Sequence, residues 1–547
     1  MSDNQNQNSI NKNTLISESN SFITSNDIIT PVVGTNKGEV AEIDNEFIDD
    51  LSIKETIKEI AYLALPTTFF FLCLFVQSTI SLAFIGGIYD NVYMFDGIGV
   101  ATLYINCTFF SIAVGIVSGV ETLGANAFGI KNYYLLGLYL HRGRLMAYLF
   151  CAVMIIINVL FAERILTVFG LPEQTLYYAV RYTKIAVWFI VTDIQFSTNF
   201  RFINIVDKSH INLIVVMISI ALHPLWCYIF IKLLDLDVVG AAISLVISQG
   251  ICAILTSLYV HFYNPYPESY FWFNKECFVG WCEYIKFTIP SILLLCGEWW
   301  GFELQSFIAL AIKDGEYDYS AHIFLCNLNG IIYSLSLGFS IACTIMVGKY
   351  IAEGKVNVTK KVIKVAFICG QSLMIIISIF YLIFGGKLFS LFTTDQKILD
   401  KGSEVIPIQA LSINFDMSQA ILSNSMRGLG KQLIASLVSI ITYYIYGASL
   451  SCLLTLHLEL GVVGIWIAIA SGYAISTVVY GIMLLRFDYN EIRDDTKKRL
   501  DRDIAEVHIE NRTHSHIEHN LHSEHSEQTK FGEENQEHQH KEVLLKA

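Results

Sequence analysis

Charge is scarce in this 547-residue chain: Asp, Glu, Lys and Arg together make up 16% of it, against about 25% in ordinary soluble proteins. With 54% hydrophobic residues and a mean hydropathy of +0.50, it does not read as a string of soluble domains. Most of it is built for lipid. Basic residues are in deficit too, 36 Lys and Arg against 49 Asp and Glu, for a formal net charge of −13. A nucleic-acid partner needs a basic face, so that class is excluded. There is no phosphate-binding loop; Arg427-Gly428-Leu429-Gly430-Lys431 lacks both the spacing and the Ser/Thr. No span or loop therefore carries an energy-coupling enzyme, and a primary pump would need a partner subunit. Of the 12 cysteines only Cys277 and Cys282 form a close pair, with no His or Cys following at zinc-site spacing. They read as free thiols, and neither a structural metal nor a cofactor is implied. Residues 1–52 hold no apolar run long enough for a signal peptide.

What is present is a set of roughly twelve apolar stretches, each near the 17 to 25 residues that a membrane-spanning helix needs. The first half places them at Ile60–Gly86, Ile98–Val120, Leu145–Phe161, Ala179–Phe200, Ile211–Leu233 and Val239–Phe262. The second half places them at Phe287–Ile312, Ala321–Val347, Val362–Phe384, Val405–Met426, Leu433–Leu454 and Val462–Leu485. They are apolar all round rather than alternating, so helices are expected and not barrel strands. Loops after the even-numbered stretches carry Lys131, Arg142, Arg144, Arg201, Lys208, Lys349, Lys355, Arg427 and Lys431, whereas the opposite loops carry mostly acids, such as Asp90, Asp96, Asp235 and Asp314. Lys387, Lys397 and Lys401 are the main exceptions. The positive-inside rule then puts both termini in the cytoplasm.

The chain repeats itself at an offset of about 225 residues. Leu65-Pro66 answers Ile289-Pro290, and Arg201 answers Arg427. Phe169 with Pro172-Glu173-Gln174 answers Phe392 with Thr394-Asp395-Gln396, and Val238-Val239-Gly240 answers Val462-Val463-Gly464. Six helices per half insert the same way up, so the expected architecture is all-α and polytopic. Two pseudo-symmetric six-helix lobes would surround a central cleft. The domain boundaries read as 1–52 (a disordered N-terminal segment), 53–274 (first lobe), 275–486 (second lobe) and 487–547. That last segment is expected to be a disordered tail. It carries His508, His514, His516, His519, His522, His525, His538 and His540 at irregular spacing, which suits a solvated tail better than a metal site.

Function should show where ionisable groups enter the apolar stretches. Glu298 and Glu303 lie in the seventh stretch and Asp416 in the tenth. A carboxyl removed from water holds its proton more tightly, so such a group can carry a proton one way and a cation the other. Glu298 and Glu303, five residues apart, stand about 140° apart around a helix and about 7.5 Å along it. One is expected to face the cleft and the other the lobe interior. Gln419, three residues from Asp416, can look into the same cavity. Trp299 and Trp300 are candidates to line a site for flat organic molecules, although helix packing accounts for most such aromatics. Asp193 and Lys184 read as a simple pair, and His223 before Pro224 as a kink. Gln77, Asn106, Asn327 and Asn329 are neutral groups of the kind that bridge helices.

Several stretches resemble the eukaryotic type of the multidrug and toxic compound extrusion (MATE) family. Glu276–Glu303 reads ECFVGWCEYIKFTIPSILLLCGEWWGFE, similar to the family's proline-started helix before Cys-x-Glu-Trp-Trp-x-x-Glu. Glu121–Gly129 is similar to its ETLCGQAFG, and Leu140-His141-Arg142 to its LQR. Arg201-Phe202 matches its RF, Leu337–Ser340 its LGFS, and Gln419 with Met426–Gln432 its Q…RGxGxQ. The resemblance implies that Glu298, Glu303 and Asp416 handle cations and protons. It also matches Asn106 to an Asn of the second helix. Gly87 stands where the family has His, Asn126 where it has Gln, and Ala448-Ser449 where it has proline. The first stretch has no acid, which places ion coupling in the second lobe.

The expectation is a secondary antiporter, not an enzyme, that exports small organic molecules, above all cations, in exchange for protons, with sodium as the other candidate ion. It would act as a monomer in the bilayer of a plasma, vacuolar or endosomal membrane. A lipid-carrier flippase of the wider superfamily is the rival within transport, though such proteins line the cleft with basic residues that these spans lack. A receptor or scaffold, the rival outside it, would show no dependence on a pH gradient.

Overall fold

A computed structural model describes residues 51–507 except 90, 169, 272, 314, 391, 392 and 394. The N-terminal segment before residue 51, the histidine tract from His508 onward, and Asp90, Phe169, Asp314, Phe392 and Thr394 therefore lie outside the described residues.

The fold is helical. In chain order the long elements are α1 (Ile53–Tyr89), α2 (Tyr93–Gly129), α3 (Tyr133–Thr167), α4 in two pieces (Glu173–Ala186 and Phe189–Ile205), α5 (Ser209–Leu233) and α6 (Asp237–Phe262). The second half follows with α7 (Trp281–Leu310), α8 (Glu316–Ala352), α9 (Val356–Phe389), α10 (Gln396–Gly428), α11 (Gln432–His457) and α12 (Gly461–Arg486). Starts are set by side-chain caps: Asn132 accepts the Leu135 N–H at 2.9 Å, and Asp395 accepts the Lys397 N–H at 2.9 Å. Among the described residues nine of these helices are long and apolar enough to cross a membrane. Of the other three, α4 is broken into pieces of 14 and 17 residues, while α7 and α10 carry charged and amide side chains that lower their hydropathy. α1 and α8 have 37 residues each, about 55 Å of helix against a hydrocarbon core of about 30 Å, so they tilt or project beyond it. Apolar side chains are exposed on the outer flanks of the helices, as at Leu160 (65%) on α3 and Ile383 (67%) on α9, which is what lipid contact requires.

The repeat seen in the sequence recurs in the backbone. Pro66 and Pro290 both lie inside helices. Left-handed residues pair at an offset of about 224: Lys131 with Gly354, Asp207 with Gly430, Asp235 with Glu459, and Asp237 with Gly461. Each ends a helix or opens the next, where one residue at positive φ reverses the chain. Both α5 and α11 end in a π-helical turn, Tyr228–Leu233 and Leu453–His457.

The two halves of the chain meet tightly at one end, the end of Ile53, Gly129, Ala352 and Gly428. There a Cβ at Gly129 would overlap the Lys349 carbonyl, and nearer mid-helix one at Gly338 would overlap the Thr68 hydroxyl, so glycine is what lets α2 and α1 touch α8. Asn126 donates its amide to the Gly348 carbonyl at 2.7 Å. Buried Arg427 forms an ion pair with buried Glu121 at 2.7 Å, with Arg201 a further 4.0 Å contact. Moving along the helices, the hydrogen bond from the Trp300 indole to the Ser111 hydroxyl, 3.1 Å, lies near mid-helix. Beyond it no hydrogen bond or ion pair joins the halves among the described residues.

Two expectations are corrected. Residues 489–507, expected to belong to a disordered tail, form a further helix, α13. Tyr489, Ile492, Thr496, Leu500, Asp503 and Val507 make a buried stripe at helical spacing, packed over the closed end. Asp193 does not pair with Lys184: it accepts the Gln249 amide at 2.7 Å and the Ser197 hydroxyl at 3.2 Å, while Lys184 is exposed. Nine residues place the two on opposite faces of a helix, and α4 is in any case broken between them.

Candidate functional site

Asp416 sits on α10 and is 3% exposed. Its carboxylate accepts the Ser336 hydroxyl of α8 at 3.3 Å and the Gln419 amide, one turn along its own helix, at 3.4 Å. Gln419 is buried, and its own Oε1 has no partner. Glu298 of α7 approaches the same place. Asp416, Arg427 and the Ser423 hydroxyl are within its electrostatic reach, and its Oε1 is enclosed with no hydrogen-bond partner.

Small residues set how α7 meets α11. Gly297 and Gly301 stand one turn apart on the face of α7 turned to α11; a Cβ at Gly301 would come 2.8 Å from the Tyr443 Cβ, and one at Gly297 3.5 Å from the Ser439 Cβ. Such a stripe lets helix backbones pack closely, here α7 against α11.

The remaining predicted residues form a second group, at the boundary between the halves. The Trp299 ring stacks on Phe110 of α2 with centroids 5.7 Å apart and 22° between planes. Glu303 is half-buried, has no hydrogen-bond partner among the described residues, and has Cys107 of α2 and Cys326 of α8 as electrostatic neighbours. Asn106, next to Cys107, opens a π-helical turn that runs to Phe110 and interrupts α2. The 140° between Glu298 and Glu303 thus separates two environments: Glu298 joins Asp416 inside the second half, and Glu303 looks toward the first.

Three tyrosines join this site; the sequence marks Tyr443, with Tyr444 and Gly447, only as resembling the family's eleventh helix, and does not mark Tyr333 or Tyr473. Tyr333 of α8, Tyr443 of α11 and Tyr473 of α12 all lie within electrostatic reach of Glu298 and Asp416, and Tyr443 meets Tyr473 edge-on at 6.0 Å. They wall the acid pair with hydroxyls and ring faces. Their signal was hidden among 28 tyrosines, and only the helix packing brings them together.

Chemically, two carboxyl groups within electrostatic reach of each other and shielded from water repel if both ionise. A proton or a cation relieves that repulsion, and one relief displaces the other. Among the described residues no group of three or more His, Cys, Asp and Glu is arranged to hold a metal ion.

Comparison with known proteins identifies the family. The family model described as MatE matches residues 58–229 and 290–453, one segment in each half. Multidrug and toxin extrusion protein 1 of Danio rerio is 27% identical over 443 residues, covering 81% of this chain and 74% of the relative. The human protein of that name is 27% identical over 446 residues, covering 80% and 75%. The crystal structure of the eukaryotic MATE transporter AtDTX14 superposes with a TM-score of 0.77 at 21% identity, over 82% of this chain and 99% of that one. A MATE family transporter solved in an outward-facing conformation gives 0.73 at 14% identity, over 81% and 97%. With a family model matched across most of both halves, the chain belongs to the multidrug and toxic compound extrusion family of integral membrane transporters.

Proposed function

We propose that this protein is a secondary antiporter that exports organic cations and other small amphipathic compounds in exchange for protons. The observation that carries the reading is the Glu298–Asp416 pair, two acids within electrostatic reach of each other, Asp416 buried and Glu298 with one enclosed carboxylate oxygen that has no hydrogen-bond partner. Protons and cationic substrate compete for this charge. The names of the curated relatives, multidrug and toxin extrusion proteins, support the substrate class.

On this reading α1–α12 all span the bilayer, with α1–α6 and α7–α12 as two lobes facing a cleft. α7 and α10 owe their lower hydropathy to the acids they present. The closed end carries Lys131, Arg201, Lys349 and Arg427, so the positive-inside rule makes it cytoplasmic. The state described is then shut to the cytoplasm, and exchange proceeds by rocking of the lobes about the acid site. Glu303, Asn106 and Trp299 stand at the lobe boundary, where substrate would pass or bind. The protein works as a monomer in a plasma or vacuolar/endosomal membrane.

The test is uptake of a fluorescent organic cation into vesicles holding the purified full-length protein, under an imposed pH gradient and separately under a sodium gradient. Uptake should follow the pH gradient, and Glu298→Gln should abolish it in vesicles with equal protein content. Normal pH-driven uptake by Glu298→Gln, or uptake driven by sodium alone, would overturn the assignment.

A further inference from the structure

α13 crosses the closed end from one half of the chain to the other. Arg499 donates to the Asn126 side-chain oxygen of α2 at 2.6 Å and lies 5.0 Å over the Phe287 ring of α7. Asp503 accepts the Tyr139 hydroxyl of α3 at 2.5 Å, and Arg502 reaches Glu283 of α7 at 3.4 Å. Beneath this helix is a cavity of about 220 Å³ whose wall includes three cations, Arg142, Lys286 and Arg499, and two acids, Glu283 and Asp503.

The acids are occupied: Asp503 with Tyr139, Glu283 with Lys286 at 3.0 Å and with Arg502. Arg142 is left over. It is 2% exposed, forms no ion pair among the described residues, and has as its protein acceptor only the Glu276 carbonyl at a long 3.5 Å. Its Nε has no acceptor, nor has the Nε of Arg499. Tyr139 lines the same cavity, within electrostatic reach of both guanidinium groups. A guanidinium taken out of water without a counter-charge is costly, and a planar fork of N–H donors matches an oxyanion. The cavity is smaller than the roughly 300 Å³ at which drug-sized sites begin, so it suits a compact anion and not a transported compound.

We propose that this cavity binds a phosphate group, free or on the headgroup of a membrane lipid, between Arg142 and Arg499, and that its occupancy fastens α13 across the closed end. The ligand joins a residue of the first half to the helix that caps both, and so stabilises the state in which that end is shut. The site stands apart from the acid pocket, and the inference does not depend on which ion drives transport.

The test uses the purified full-length protein. Thermal unfolding in detergent is followed against inorganic phosphate, with chloride at matched ionic strength as control, and in nanodiscs of phosphatidylcholine with or without a phosphoinositide. Hydrogen exchange of residues 489–507 is read in parallel. Phosphate should stabilise saturably and slow exchange in α13, and Arg499→Gln should weaken the apparent affinity at least tenfold. Arg142→Gln, the more deeply buried change, should do the same if it folds; Arg499→Gln decides the matter if it does not. Stabilisation by phosphoinositide nanodiscs but not by phosphate would make the lipid headgroup the source. No stabilisation by either, an unchanged response in Arg499→Gln, or unchanged exchange in α13 would overturn the proposal.

Discussion

The Glu121–Arg427 ion pair gives the sharpest test of how the closed end is held. Both side chains are buried and the pair is 2.7 Å long, with Arg201 a weaker 4.0 Å reserve. Arg427→Met removes the near partner and leaves Glu121 enclosed beside a more distant guanidinium. Breaking a buried pair from one side costs about 3 to 5 kcal/mol; with Arg201 in reserve the lower figure applies, about 3 kcal/mol. On the proposed rocking of the lobes that penalty falls only on the shut state, because Glu121 regains water when the end opens. An equilibrium between the two shifts by the same amount, on the order of a hundredfold toward the open end. Spin labels at Lys131→Cys and Lys360→Cys, both exposed and in opposite halves, would report this as a second, longer distance population by electron–electron resonance. Adding Glu121→Gln should restore much of the short population, since no unpaired charge then remains. A distance distribution unchanged in Arg427→Met, or not recovered in the double variant, would refute the argument.

Asp416→Asn should weaken binding of cations by about a hundredfold, the scale of an unpaired buried charge, and of neutral compounds far less; equal affinity for cations, measured by competition in vesicles, would remove Asp416 from the binding site. Gly301→Ala should destabilise by about 1 to 3 kcal/mol through overpacking, because its new methyl would stand 2.8 Å from the Tyr443 Cβ; an unchanged melting temperature would mean that α11 shifts freely. Ending the chain after Val507 should leave transport intact. Ending it after Asp488 removes the Leu500 and Val507 contacts along with those of Arg499 and Asp503, and should lower the melting temperature by several degrees; equal stability of the two truncations would show that α13 holds nothing.

Legibility in the sequence followed what each residue depends on. The helices were readable because runs such as Val362–Phe384 are apolar on every side, a property needing no partner. Pro66 with Pro290 and the two Val-Val-Gly starts exposed the repeat, which the left-handed positions Lys131 and Gly354 then carried into the backbone. Glu298 and Asp416 stood out because a carboxyl in an apolar span is anomalous by itself. Tyr333, Tyr443 and Tyr473 are ordinary residues in membrane helices, and their significance lies in converging from three elements. α13 was missed for a different reason. Its stripe from Tyr489 to Val507 has helical spacing, but the surrounding Asp, Arg and Lys make its composition that of a solvated tail and mask the period. The Lys184–Asp193 pairing failed on simple rotation, which the spacing alone could have shown.

The π-helical turns carry a consequence for how a span can change shape. Such a turn holds one residue more than the α-helical register needs. Moving it along by one position exchanges one backbone hydrogen bond for another and turns the residue passed over by about 100° about the helix axis. α11 contains two of these stretches, Ile441–Ala448 and Leu453–His457, with only Ser449–Cys452 between them. Tyr443, which packs on Gly301 one turn from Glu298, lies in the first. The wall of the acid pocket is therefore mounted on a helix with slack wound into it. It can be re-aimed by sliding a defect, with no backbone donor stranded in the membrane and no hinge of glycine or loop.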